Sequence, residues 1–271
     1  MSTKGQSLKE ALSSMFATSV ILICLVTGWA IWSYVMGNPV NFEGGNVHGK
    51  PLPGNYFAII YQGGFIVPIL IAINLILLTF SVERLISISR AKGKRSLISF
   101  LVDVQHLLNQ GKIEEVNALC DEQKGSLANV VKAGMHRYRD LQNDPSLPND
   151  QKVLAFQKDL EEATALELPM LSKNLVVLST IASISVLVGL IGTVLGMIKA
   201  FGALATAGAP DALALATGIA EALINTAFGI TGSTLAIIFF NFFSSKIDSM
   251  TFKFDEANFS LSQTFASTLK K

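Results

Sequence analysis

Histidine, cysteine and charge are all scarce in this chain, and each scarcity removes a class of function. The three histidines, His48, His106 and His136, are scattered, with no cysteine or carboxylate at ligand spacing. A metal site needs several such donors close together, so none is expected, and the three read as loop, surface or packing residues. The two cysteines, Cys24 and Cys120, lie in an apolar run and in a polar region, so no disulfide framework is readable. There is no Walker loop, no CxxC and no Ser-His-Asp order. Nine of the 21 glycines lie in apolar runs, where they cannot serve as phosphate loops. Neither enzymatic chemistry nor a cofactor is expected. Charged residues make up 15% of the chain, against about a quarter in an ordinary soluble domain. The net charge is +1, so nothing global favours nucleic-acid binding.

What is abundant is hydrophobicity, at 50% of the residues and a mean hydropathy of +0.47. It falls in blocks. Four of them, residues 15–36, 56–82, 176–200 and 212–243, reach the ~20 residues that cross a ~30 Å hydrocarbon core. The expected fold is therefore all-α: a polytopic membrane protein with four transmembrane helices and a helical cytoplasmic domain. Of the 21 Lys and Arg, 13 lie within residues 83–173, one (Lys50) in the linker 37–55, and none in the turn 201–211. The positive-inside rule then places 83–175 in the cytoplasm and the two short connections outside. Lys4 and Lys9 before the first span, and Lys246, Lys270 and Lys271 after the last, put both ends (1–14 and 244–271) inside.

The first span has the basic approach of a signal peptide, but its apolar run exceeds the usual 7–15 residues. Trp29, Trp32 and Tyr34 form an interfacial aromatic belt, so a retained span is expected. The linker is rich in Gly, Pro and Asn. Gly63-Gly64 and Pro68 in the second span permit close packing or a kink, with neighbours satisfying the freed carbonyl. The basic run Arg84, Arg90, Lys92, Lys94 and Arg95 reads as a stop-transfer anchor against anionic lipid, with partner docking as the alternative. Leu97, Phe100, Leu101, Val104, Leu107 and Leu108 recur at helical spacing, and two shorter helices follow, over 113–120 and 127–138. After the break at 144–149, a helix carrying Glu161, Glu162 and Glu167 is expected to run into the third span, bent at Pro169. Phe252, Phe254, Phe259 and Phe265 mark an amphipathic tail.

Polar chemistry is concentrated in the last two spans. On the third, Ser179, Ala182, Val186, Gly189, Thr193, Gly196 and Ala200 share a face, and Gly192 and Gly196 form a GxxxG pair. Small residues let helices pack closely in lipid, so this face reads as a packing seam that also carries a hydroxyl. On the fourth, Thr217, Glu221, Ala222, Asn225, Thr226, Gly229, Gly232, Ser233 and Ala236 occupy one half. Glu221 lies ten residues beyond Asp211, or ~15 Å along a helix. A carboxylate at that depth must face protein or water. It can relay protons with help from nearby hydroxyls, or it can be a structural ion-pair partner of Lys199. The amide of Asn225 and the hydroxyl of Thr226 beside it favour the functional reading.

These residues carry a resemblance. Residues 187–198 followed by Ala200-Phe201, and Gly218-Ile219-Ala220-Glu221-Ala222-Leu223 with Thr226 and Gly229, resemble the two membrane signatures of the ExbB/TolQ/MotA proton-channel family. The second is in its ExbB/TolQ form. The cytoplasmic stretch from Gly111-Lys112 through Leu119-Cys120 to Ala133-Gly134 is also similar, and the likeness covers about residues 62–244. It implies a subunit of the bacterial inner membrane that forms a homopentamer around a dimer of an ExbD/TolR-like partner. That partner's single span carries an Asp, and proton flow there drives work on a TonB- or TolA-like protein. The resemblance assigns Thr193 and Thr226 to the channel wall and Glu221 to the family's acidic position. Asn225, Ser233 and Thr217 are candidate polar supports, and Gly189, Gly192, Gly196, Gly229 and Gly232 the packing residues. Prolines common in the family are replaced here by Val186 and Leu235. The extra first span matches the four-span plan of MotA-type motility stators, whereas the Gly-Ile-Ala-Glu-Ala-Leu motif does not. A motility stator and a passive membrane scaffold are the alternatives.

Overall fold

A computed structural model describes residues 18–47, 49–205 and 211–269. The N-terminal segment 1–14 and the expected start of the first span at 15–17, His48, residues 206–210 of the turn after the third span, and Lys270 and Lys271 lie outside the described residues. The chain forms two compact units, Met1–Ser81 with Val177–Phe240, and Val82–Val176 with Asn241–Lys271. Among the described residues every extended element is a helix: α1 (Thr18–Met36), α2 (Tyr56–Tyr61), α3 (Ile66–Lys92), α4 (Leu97–Asn109), α5 (Ile113–Gln123), α6 (Ser126–Gln142), α7 (Asn149–Ser172), α8 (Leu175–Ala205) and α9 (Ala212–Thr268). Four helical stretches among the described residues are long and apolar enough to cross a membrane.

In the first unit, the second span is discontinuous. Asn55 caps α2 by accepting from the N–H groups of Phe57 and Ala58 at 3.0 and 3.3 Å. The helix stops at Gly63-Gly64, where Gly64 has φ +75°, and restarts at Ile66. Pro68 then falls in the first turn of α3, where its missing N–H costs no helical bond. The helix α1 closes over this region. A Cβ on Gly28 would stand 2.7 Å from the Pro68 carbonyl, so only glycine allows the approach. Trp32 stacks on Tyr61 with centroids 4.7 Å apart, and the Asn41 amide donates to the carbonyls of Val35 and Met36 at the end of α1. The linker is thus folded onto the helix ends it joins.

The second unit is a soluble-type helical core. The apolar stripe of α4 buries Phe100, Leu101, Val104 and Leu108 against α5, α6, α7 and the end of α9. At its centre Tyr138, Phe156 and Phe265 meet with centroids 4.7–5.9 Å apart. Phe254 is buried with them, whereas Phe252 and Phe259 are exposed. The expected tail is no separate element: α9 is one helix of 57 residues, ~86 Å long. The expected passage from the polar helix into the third span is interrupted. Pro169 sits inside α7 without ending it, and the break comes at Lys173-Asn174, with Asn174 at φ 61°. Asn tolerates that left-handed conformation better than other non-glycine residues, so the chain turns there.

Arg84, expected in the basic anchor, is instead turned inward and 2% exposed. It donates to both oxygens of Glu83 at 2.6 and 2.7 Å and to the Leu171 carbonyl at 3.2 Å. Burial alone would raise the Glu83 carboxyl. Hydrogen bonds from Arg84, Ser87 and Asn174, with the Arg84 charge, outweigh it and hold the group below its ordinary value of 4.5.

Candidate functional site between two membrane helices

The site lies in the first unit, where α8 and α9 run backbone to backbone. A Cβ on Gly196 would meet the Gly218 carbonyl at 2.7 Å, and one on Gly229 would meet the Ser185 carbonyl at 2.8 Å. Gly189 packs on Gly229 in the same way. Larger side chains at these positions would hold the helices apart and leave the polar groups between them unpaired. Ser233 fastens the seam by donating to the Ala182 carbonyl at 2.5 Å.

At this approach two hydroxyls meet. Thr193 and Thr226 are hydrogen-bonded to each other across the seam. Thr226 also reaches the Ala222 carbonyl at 3.0 Å, and Thr193 reaches the Gly189 carbonyl at 3.1 Å. Each hydroxyl has one proton, so the pair has two arrangements. Either Thr193 donates to Thr226 and Thr226 to Ala222, or Thr226 donates to Thr193 and Thr193 to the carbonyl of Gly189 or, at 3.4 Å, of Ala222. Both threonines are half-buried, on the open edge of the seam.

The half of α9 that reads as one polar face in the sequence is divided between two neighbours. Thr226, Ala222 and Gly229 face α8, whereas Glu221 and Asn225 also face the break between α2 and α3. Asn225 is fully buried, and its amide donates to the free carbonyl of Gly63 at 2.9 Å. This satisfies a carbonyl that the unwound turn releases, as a broken membrane helix requires. Gly192 leaves space for this amide, since a Cβ there would meet it at 2.5 Å. The carboxylate of Glu221 touches Gly64, where any side chain would collide with it. Gly232 makes a similar allowance for Ser185 and Asn74.

Glu221 is 5% exposed and receives the ammonium of Lys199 on both oxygens at 2.8 Å. Lys199 is 56% exposed, so the pair joins a buried anion to a cation at the surface. Such a pairing offsets the cost of taking the carboxylate out of water. The structure thus forms the Lys199 ion pair that the sequence offered as the alternative for Glu221, while the two threonines bond each other. Thr217 is exposed and bonds back to the Leu213 carbonyl at 2.8 Å, away from this cluster. Among the described residues no group of three metal-ligating side chains occurs.

An all-helical chain whose described residues include four membrane-length helices, with a hydroxyl pair and a buried carboxylate paired to a surface ammonium beside a glycine-packed seam, has the features of an ion-conducting membrane subunit. Residues 122–256, about half of the chain, match the MotA/TolQ/ExbB proton channel family, and the chain belongs to that family. The match includes both membrane signatures. The Tol-Pal system protein TolQ of Pseudomonas aeruginosa is 34% identical over 117 residues, 43% of this chain and 51% of that protein. The putative biopolymer transport protein ExbB-like 3 of Synechocystis is 37% identical over 92 residues, 33% of this chain and 44% of that protein. The biopolymer transport protein ExbB of Salmonella typhimurium is 40% identical over 72 residues, 27% of this chain and 30% of that protein. The chain spans about half or less of the length of these curated relatives.

Proposed function

We propose that the chain is the proton-channel subunit of an ExbB- or TolQ-like energy-transducing complex in the bacterial inner membrane. In this reading it couples the proton motive force to work at the outer membrane. The observation that carries it is the contact between the Thr193 and Thr226 hydroxyls in a seam made of backbone and small side chains. A proton delivered to one hydroxyl oxygen sends that hydroxyl's own proton to the other oxygen, and the second hydroxyl's proton leaves to the next acceptor. A proton thus advances one link along the wall, and the arrangement of the pair is reversed. The remaining link is an acidic group on another chain, the intramembrane Asp of an ExbD/TolR-like partner. A homopentamer around a partner dimer, in contact with a TonB- or TolA-like protein, is the assembly this implies. Both termini would be cytoplasmic and the outer helix faces would lie in lipid.

In liposomes holding the chain with its partner, proton flux tests this reading. Thr193→Val and Thr226→Val keep volume while removing the hydroxyl, and each is expected to lower flux at least tenfold, with Thr→Ser retaining it. Unchanged flux in both valine variants would refute the role. A motility stator remains the second reading, supported by the four membrane-length helices. Co-purified partners separate the two, because a peptidoglycan-binding partner would indicate motility.

A further inference from the structure

In the second unit, a cavity of about 380 Å³ opens between the end of α3, the start of α4 and the middle of α9. Lys92, Lys246 and Lys253 line it, with the hydroxyl-bearing residues Ser89, Ser96 and Ser249, and no carboxylate does. Its remaining wall is apolar, with Leu85 and Phe242 both exposed there. Lys253 is paired with Glu256 at 2.7 Å, and Lys246 stands over the Phe242 ring at 5.7 Å. Ser96 begins α4 without a side-chain cap, and Leu97 and Ile98 of the first turn line the cavity, where the positive end of the helix dipole favours an anion.

The position of these residues along the chain matters as much as their charge. The apolar run of the second span ends at Val82, and that of the fourth ends at Phe243. The lysines therefore follow two spans at the level where the headgroups of the inner leaflet lie, and that leaflet carries negative charge. A cavity with cations on one side and exposed apolar side chains on the other matches a molecule with the same two parts. A soluble anion would leave Leu85 and Phe242 in water, and an apolar peptide would leave Lys92 and Lys246 without an anion.

We propose that this cavity holds one anionic phospholipid of the inner leaflet. Its phosphate would lie on Lys92 and Lys246, near the start of α4, and its first acyl carbons along Leu85 and Phe242. The inference rests on the four-span reading and not on the proton path, and flux is a separate readout. A failed lipid result therefore leaves the proposed channel standing.

Native mass spectrometry of the full-length protein, supplied with phosphatidylglycerol or phosphatidylcholine, tests it. Phosphatidylglycerol is expected to be retained at one molecule per protomer and phosphatidylcholine at least tenfold less. Each of K92Q and K246Q is expected to weaken retention about fivefold, and the double variant about 25-fold. The charge-keeping K92R/K246R and the distant K158Q should bind as the parent does, which separates lost charge from lost fold. Equal retention of the two lipids, or a double variant that binds like the parent, would overturn the proposal. So would inorganic phosphate displacing the lipid at equal concentration, which would make this an anion site. If K92Q/K246Q broke the oligomer while lipid stayed bound, the cavity would be a subunit contact and the proposal would fall.

Discussion

Glu221 and Lys199 form an unequal pair, and the inequality has measurable consequences. Removing the cation strands a carboxylate that is 5% exposed, whereas removing the anion leaves an ammonium that already reaches the surface. Lys199→Ala is thus expected to cost about 1–3 kcal/mol, as for a buried polar group left unpaired, and Glu221→Gln less than about 1 kcal/mol. The double variant should recover much of the lysine loss. Thermal stability of the four proteins in detergent checks this, and equal costs for the two single changes would refute it. Proton flux in the same set separates function from structure: a purely structural pair would regain flux in the double variant, and a working carboxylate would not. Glu83 gives a pH test in the other unit. Its carboxyl is held low by Arg84 and Ser87 despite burial. The ion pair therefore stabilises at pH values above 4.5 and is lost as pH falls through the lowered folded value. Glu83→Gln should be less stable by about 1–3 kcal/mol at pH 7 and match the parent in acid.

At the scale of elements, contact between α8 and α9 depends on glycine at particular turns and not on glycine content. Gly229→Ala places a methyl 2.8 Å from the Ser185 carbonyl, a backbone atom that cannot move independently. A loss of about 1–3 kcal/mol is expected, as for other overpacked contacts. Gly202→Ala on α8 meets nothing within 4 Å and should be neutral or stabilising by up to about 1 kcal/mol. Melting temperatures of the two variants compare the sites directly. The break between α2 and α3 depends in the same way on Asn225. Asn225→Leu would leave the Gly63 carbonyl without its 2.9 Å donor, at an expected cost of about 1–3 kcal/mol. The apolar runs and the α4 stripe were legible in the sequence because their periods and lengths are local properties. The Lys199 partner of Glu221 was legible as an alternative, whereas the Gly63 partner of Asn225 was not, because one face of α9 is shared between α8 and the α2–α3 break.

At the scale of the molecule, the distribution of charge sets orientation. Lys50 is the one basic residue of the linker, and the basic run after the second span is on the opposite side by the positive-inside rule. A membrane-impermeant amine reagent applied to spheroplasts should label Lys50 while sparing Lys92 and Lys94 until the membrane is opened. Equal labelling would reverse the proposed topology. Within the second unit, burial first, and then the charge of Asp121, push the Cys120 thiol up to about 12. Alkylation at Cys120 should therefore be slow in the folded protein and rapid on unfolding, so its rate reports opening of that helical core.

The sequence by itself determined the class: helices throughout, four of membrane length, and a polar cluster in the last two. Hydrophobic run length, helical period and the cost of a buried charge are legible without coordinates. Tertiary structure decided which polar groups meet. It joined Thr193 to Thr226, drew Glu221 to Lys199, set Asn225 on a carbonyl 162 residues away in the chain, and turned Arg84 inward. Those choices depend on which helix stands opposite at close range, a property of packing that no single helix carries.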